Sequence, residues 1–154
     1  WTLNLSTMAM VAIVLAYGFT KCTKVERERL WAATVLIIFQ VVFWALFEQQ
    51  GSSLTLLADQ QFDLDLGLFT LTASQVQFMN PGFIILLGPI LTFLWVALAK
   101  AKAEPTTTQK FAIAMLLVGL GYVGFSFGLG TDDGNSKSFL WMVYIYFMMT
   151  AAEL

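Results

Sequence analysis

Apolar residues run without a single charge through five stretches of this chain: residues 1–20, Leu30 to Phe47, Phe83 to Ala99, Phe111 to Gly130 and Phe139 to Ala152. Each is long enough to cross most of a bilayer core as a helix, the last only just as far as the chain runs. Polar and charged positions gather between them. A soluble domain of 154 residues would not bury five such segments. The pattern therefore predicts an all-α fold, a polytopic transmembrane helix bundle. Composition agrees: hydrophobic residues make up 58% and charged ones 12% of the chain, whereas soluble domains carry about 25% charged residues.

Local signals place the element ends. The first helix should run from about residue 3 to 20. Thr23 with Glu26 fits a capping box for a second helix starting near Val25. That helix is expected to continue past the lipid, since Leu54, Leu56 and Leu57 follow Gly51. Residues 60–78 read as an external loop with a short extended piece. Asn80-Pro81-Gly82 opens the third helix, with the proline in the first turn, where its missing N–H does no harm. Pro89 lies inside that helix and should kink it. Pro105 and Thr106 to Thr108 break the chain and cap the fourth helix, and Gly134-Asn135-Ser136 forms the last turn.

Charge placement orients the spans. Lys21, Lys24, Arg27, Arg29, Lys100, Lys102 and Lys110 fall on alternate loops, leaving Lys137 beside Asp132 and Asp133; the loop 51–78 has no Lys or Arg but carries Asp59, Asp63 and Asp65. By the positive-inside rule, loops 21–29 and 100–110 are cytoplasmic, and loops 51–78 and 131–137 external. Cys22 is the sole cysteine and falls on the cytoplasmic side, so no disulfide is expected. The chain has no His, which leaves proton exchange near neutral pH to carboxylates in unusual surroundings. It opens on Trp1 with neither a basic n-region nor a cleavage site, and ends inside an apolar run. We expect an internal piece of a larger, transporter-sized protein rather than a signal peptide and its domain.

Glu48 changes the picture from a bundle to a working bundle. It ends a membrane-length apolar run, where a charge costs on the order of 3 kcal/mol and is usually kept for work on ions, protons or substrates. Gln40, Trp44, Glu48, Ser52, Thr55 and Asp59 are spaced by three or four residues and would share one helical face. Such a face suits the wall of a water-filled cavity or a polar interface against another helix; the size and chemistry of Trp44 and Glu48 favour the cavity. Gly119-Leu120-Gly121-Tyr122-Val123-Gly124 fits a dinucleotide-binding pattern, but that motif needs a preceding strand and a helix opening at the motif. Within an apolar run, and with Gly128 four residues on, it reads as close helix packing through small residues.

Phe43-Trp44-Ala45-Leu46-Phe47-Glu48-Gln49-Gln50-Gly51-Ser52-Ser53 resembles the seventh transmembrane helix of the proton-dependent oligopeptide transporters, a branch of the major facilitator superfamily. Asn80-Pro81-Gly82-Phe83-Ile84-Ile85-Leu86-Leu87-Gly88-Pro89 resembles the start of that family's eighth helix. Thr150-Ala151-Ala152-Glu153-Leu154 resembles the opening of its tenth, with Ala152 where Gly is usual. The resemblance implies that residues 1–22 form a linker helix between two halves, as in bacterial members, and that residues 23–154 form a partial C-terminal bundle of four spans. It implies a cell-membrane symporter that imports di- and tripeptides with protons by alternating access. Trp44, Glu48, Asn80 and Glu153 then match substrate-binding positions, Glu48 and Glu153 proton-coupling ones, and Asp59 falls about where relatives carry an acidic gating residue. The family's Glu-x-x-Glu-Arg motif and fourth-helix Lys are absent from this piece and belong to the missing N-terminal half.

The chemistry of a peptide zwitterion fits these residues. Its amino end needs carboxylates, which Glu48 and Glu153 supply, and its backbone needs amide partners such as Asn80. Trp44 offers an apolar wall. The peptide carboxylate needs a basic group, which must come from the missing half. The expected partners are peptides, protons and the lipid bilayer, with no nucleic acid, no metal and no cofactor beyond the proton gradient. The alternative is a channel or scaffold segment in which Glu48 only holds helices together. An intramembrane enzyme fits poorly, because no metal-ligand cluster and no nucleophile with a base at useful spacing is present.

Overall fold

The structure is a computed structural model that describes residues 2–20, 22–67, 69–130 and 138–154. The turn assigned to Gly134-Asn135-Ser136, and the loop 131–137 with it, lies outside the described residues. Seven α-helices are described: α1 (Thr2–Thr20), α2 (Lys24–Phe47), α3 (Ser53–Gln61), α4 (Ala73–Val76), α5 (Met79–Lys100), α6 (Thr107–Leu129) and α7 (Leu140–Glu153), with a 3-10 turn at Glu48–Gly51 between α2 and α3. The chain divides into two compact units, Trp1–Val42 and Phe43–Leu154.

In the first unit, the Thr23 amide donates to the Glu26 carboxylate at 2.8 Å and the Thr23 hydroxyl caps the Glu26 amide. This is the reciprocal box expected from the sequence, and it starts α2 at Lys24. Gly18 is buried because Leu30 lies where a Cβ would project. Most of the other described side chains of α1 are exposed apolar groups, among them Leu5, Met8 and Ile13.

In the second unit, α7 is the central element. Met142, Ile145, Tyr146 and Met149 repeat at intervals of three and four residues and are fully buried, which gives α7 one continuous inner face. That face packs against α6 and α5. On α6 the buried positions Val118, Gly121, Phe125 and Gly128 follow the same helical period. Two of them, Gly121 and Gly128, form a small-residue seam with Gly124: a Cβ at Gly121 would meet Met148, one at Gly124 the Tyr144 ring, and one at Gly128 the Trp141 ring. Two of the three glycines of the rejected dinucleotide motif, Gly121 and Gly124, thus serve close helix packing, as does Gly128. Gly119, on the other side of the helix, faces nothing within 4 Å.

Helix starts follow their local signals. The Thr106 amide donates to Gln109 Oε1 at 2.8 Å, and the Gln109 amide returns to the Thr106 hydroxyl, opening α6 directly after Pro105. Pro81 falls in the first turn of α5, and Pro89 lies within it. Asp65 and Thr70 form a small antiparallel bridge, and Gly67 takes φ 76°, where a residue without Cβ is favoured. This is the extended piece anticipated in the loop. Large apolar side chains such as Ile85, Phe93 and Phe127 are more than 70% exposed. Three segments, Lys24–Gln61, Ala73–Lys100 and Thr107–Leu129, are long and apolar enough to cross a membrane; Leu5–Gly18 and Leu140–Glu153 are shorter apolar helices. Exposed apolar surface on backbone-satisfied helices is what a lipid environment selects.

Candidate functional site

The polar stripe on α2 does not continue as one α-helical face. After Phe47 the backbone tightens into the 3-10 turn Glu48–Gly51, and Ser52 leaves helical geometry at φ −127° and ψ −87° before α3 begins. The expectation that Glu48, Ser52, Thr55 and Asp59 share a straight stripe with Trp44 is therefore corrected. A 3-10 turn has 3.0 residues per turn instead of 3.6, so every position beyond Glu48 is rotated from the face that the spacing implied.

A break in an apolar helix releases carbonyls that lipid cannot solvate. Distant side chains take them up here. The Tyr122 hydroxyl on α6 donates to the Leu46 carbonyl at 2.7 Å. The Tyr146 hydroxyl on α7 donates to the Gln50 carbonyl at 3.4 Å, and the Thr55 hydroxyl donates to the same carbonyl at 2.7 Å. Thr55 in turn accepts from Gln77 Nε2 at 2.9 Å. The Gln50 side chain is buried, and its amide nitrogen has no partner among the described residues.

Asn80 joins this network from α5. Its Oδ1 accepts from the Thr150 hydroxyl at 2.8 Å, and that hydroxyl also lies 2.8 Å from the Tyr146 carbonyl one turn earlier on α7. A polar relay thus runs from Asn80 through Thr150 and Tyr146 to the Gln50 carbonyl, two residues after Glu48. No hydrogen bond joins Glu48 to Asn80 directly among the described residues. Glu48 and Glu153 are both exposed, and neither forms an ion pair among the described residues, where Lys110–Glu104 at 2.6 Å is the pair found. Trp44 is 44% exposed and meets the Phe47 ring edge to face at 5.4 Å. Asp59 is exposed on α3, outside the relay.

Both carboxylates are exposed, and the carbonyls on either side of Glu48 are held by hydroxyls from other elements. Sequence reasoning named Trp44, Glu48, Asn80 and Glu153 as candidates and gave no role to Tyr122, Tyr146, Thr150 and Gln50, which the structure places in the hydrogen-bond network around the break. The signal for the tyrosines was there in part: hydroxyl-bearing rings inside apolar helices need acceptors.

A helix broken beside an exposed carboxylate, within an apolar helical bundle, is a recurring device of secondary membrane transporters. The sequence model of the POT family matches residues 2–154, and the chain belongs to that family. It is 33% identical over 145 residues to the "Uncharacterized transporter YclF" of Bacillus subtilis, covering 94% of this chain and 29% of the relative. It is 31% identical to the "Peptide transporter YePEPT" of Yersinia enterocolitica, covering 92% and 28%, and 31% identical to a "Di-/tripeptide transporter" of Lactococcus lactis, covering 94% and 30%. Among solved structures it resembles a peptide transporter POT in complex with sulfate, with a TM-score of 0.81 and 30% identity over 99% of this chain and 32% of that one. A POT family transporter in complex with 5-aminolevulinic acid aligns with a TM-score of 0.76 and 29% identity, over 97% and 32%. The chain spans less than a third of the length of these relatives. Its helices are part of a major-facilitator-type membrane protein.

Proposed function

We propose that the full-length protein imports di- and tripeptides in symport with protons by alternating access. The observation that carries this reading is the family match across residues 2–154, with named peptide transporters among the relatives. Residues 1–22 act as the linker helix between two halves, and residues 23–154 as four spans of the C-terminal half. Loops 21–29 and 100–110 face the cytoplasm, and loops 51–78 and 131–137 face outward across a bacterial inner membrane. The proton gradient supplies the driving force, with no cofactor, metal or enzymatic step.

In this reading Trp44, Glu48, Asn80 and Glu153 line the substrate path. With Glu48 carrying the proton, Glu153 is left to hold the peptide ammonium, so both cargoes ride through one cycle in the same direction. The coupling is the effect that each bound cargo has on the affinity for the other, and that linkage works equally in both directions. Asn80 offers its amide to the peptide backbone, with its oxygen steadied by Thr150. Trp44 gives a flat apolar wall that tolerates varied side chains. Asp59 stands by as an acidic gate residue on α3. The carboxylate end of the peptide is met by the half of the protein that lies outside this chain.

Glu48→Gln tests the reading, because glutamine keeps the shape of a protonated carboxyl and cannot release a proton. The full-length variant in proteoliposomes should lose accumulation driven by an imposed pH gradient and retain exchange of labelled for unlabelled peptide. Undiminished accumulation would remove Glu48 from the coupling mechanism.

A further inference from the structure

The two carbonyls that bracket Glu48 both receive tyrosine hydroxyls from other helices: Tyr122 holds that of Leu46 at 2.7 Å, and Tyr146 approaches that of Gln50 at 3.4 Å beside the shorter 2.7 Å bond from Thr55. Tyr122 reaches the first from α6 and Tyr146 the second from α7. The two rings stand 76 and 96 residues along the chain from the carbonyls they hold. Tyr146 is fully buried and Tyr122 half-buried, so neither hydroxyl can readily exchange its carbonyl for bulk water. An unsupported 3-10 turn is a weak element whose hydrogen bonds have poorer geometry than those of an α-helix. Left alone, it would relax toward α-helical winding, which would rotate Glu48 and everything after it.

We infer that Tyr122 and Tyr146 are positioning residues that fix the direction in which Glu48 points, by pinning the backbone two residues before and two residues after it. Each hydroxyl bonds to a backbone carbonyl of the segment around Glu48 and so acts through the turn. The inference deepens the reading of Glu48 as the coupling carboxylate and rests on it. It also assigns Thr55 a part, since its hydroxyl shares the Gln50 carbonyl with Tyr146 and is itself held by Gln77. Glu48 is thus clamped by α6 and α7 from one direction and by the α3–α4 segment from another, while its own carboxylate stays free.

The test compares three phenylalanine variants of the full-length protein in proteoliposomes. Tyr122→Phe and Tyr146→Phe should each lower gradient-driven uptake about three- to tenfold, the range that loss of one hydrogen bond inside a membrane protein allows. Tyr144→Phe, which removes a similar bond to the Leu120 carbonyl in the α6–α7 packing, should leave uptake unchanged. The decisive readout is the exchange of peptide in the Glu48→Gln background. If the tyrosines act through Glu48, adding either phenylalanine there should not lower exchange further, because the group being aimed is already disabled. Full driven uptake by both tyrosine variants would overturn the inference. So would a loss of exchange in the Glu48→Gln background as large as the loss of driven uptake, which would mark the tyrosines as general supports. Should Tyr146→Phe fail to fold, the half-buried Tyr122 carries the same test. A Glu48→Gln protein that still accumulates peptide, or that cannot exchange it, removes the underlying reading; a silent tyrosine pair beside an uncoupled Glu48→Gln protein removes the inference alone.

Discussion

Tyrosine hydroxyls meet backbone carbonyls in two regions of this molecule, with opposite consequences. Along the α6–α7 seam, Tyr144 lies against Gly124 and donates to the Leu120 carbonyl at 3.0 Å. Leu120 lies in the interior of α6, so its carbonyl has a ladder position, and the tyrosine adds to a helix that is already complete. At the broken end of α2, Tyr122 and Tyr146 donate to carbonyls beside a turn where the α-helical ladder stops. There the hydroxyls replace bonds that the helix has given up. The seam is held by shape, with glycines giving way to aromatic rings. The break is held by polar groups from elements that are distant in sequence. The first kind of region joins two complete helices; the second lets one helix change its winding beside an exposed carboxylate.

The largest effect expected on stability lies in the seam. A Cβ at Gly124 would lie 2.7 Å from Tyr144 Cε1, and one at Gly128 would lie 2.7 Å from Trp141 Cε2. Alanine in place of glycine within a helix gains up to about 1 kcal/mol of intrinsic propensity. Overpacking a tight contact costs about 1–3 kcal/mol, so the clash wins at these two positions. Gly124→Ala and Gly128→Ala should each lower the thermal unfolding midpoint of the detergent-solubilised protein. Gly119→Ala, with nothing within 4 Å of its added methyl, should raise it slightly. If all three behaved alike, the seam would not be held by shape and the contrast with the break would dissolve.

These two regions also differ in how far they could be read from sequence. The seam was legible because small residues at intervals of three and four inside an apolar run are a local pattern with a local meaning. The capping boxes at Thr23–Glu26 and Thr106–Gln109, the early Pro81 and the five apolar stretches were legible for the same reason. The 3-10 turn was not. Glu48-Gln49-Gln50-Gly51 contains no proline to force a break, and the groups that satisfy it, Tyr122 and Tyr146, come from other helices. The apparent polar stripe followed from assuming one continuous helix, and it failed at the point where tertiary hydrogen bonds made a different winding affordable. Trp44, Glu48, Asn80 and Glu153 were named as candidates through motif and chemistry, and of these the structure joins Asn80 to the network around the break. Thr150 was named within the tenth-helix motif but given no role, because a lone threonine in an apolar helix commonly satisfies itself on the preceding turn, as its 2.8 Å approach to the Tyr146 carbonyl shows.

An intermediate effect should follow from cutting the relay at Thr150. Thr150→Val keeps the volume but removes the donor to Asn80 Oδ1, whose side chain is half-buried. Orphaning a buried acceptor costs about 1–3 kcal/mol. Partial exposure of Asn80 places the loss near the lower end. The measurement is again the thermal midpoint, paired with the KM for peptide exchange. A modest fall in midpoint with a raised KM would mark Asn80 as a substrate contact that Thr150 aligns. A fall in midpoint with KM unchanged would leave the pair as a strut between α5 and α7.

The smallest effect is expected from Tyr144→Phe, and its smallness is what sharpens the comparison. The substitution leaves the ring that fills the space over Gly124 and deletes only the hydroxyl. Leu120 keeps its helical ladder partner, so no carbonyl is stranded in lipid. Measured side-chain hydrogen bonds within membrane bundles average about 0.6 kcal/mol, and this one should fall at or below that value. Tyr146→Phe deletes the same atom from a buried ring of the same helix, yet it should cost more in stability, because the Gln50 carbonyl beside the broken turn then depends on Thr55 alone. Unfolding of both variants under identical detergent and denaturant conditions gives the difference directly. Equal losses would mean that the turn supports its own carbonyls, and that the tyrosines at the break do no more than the one in the seam.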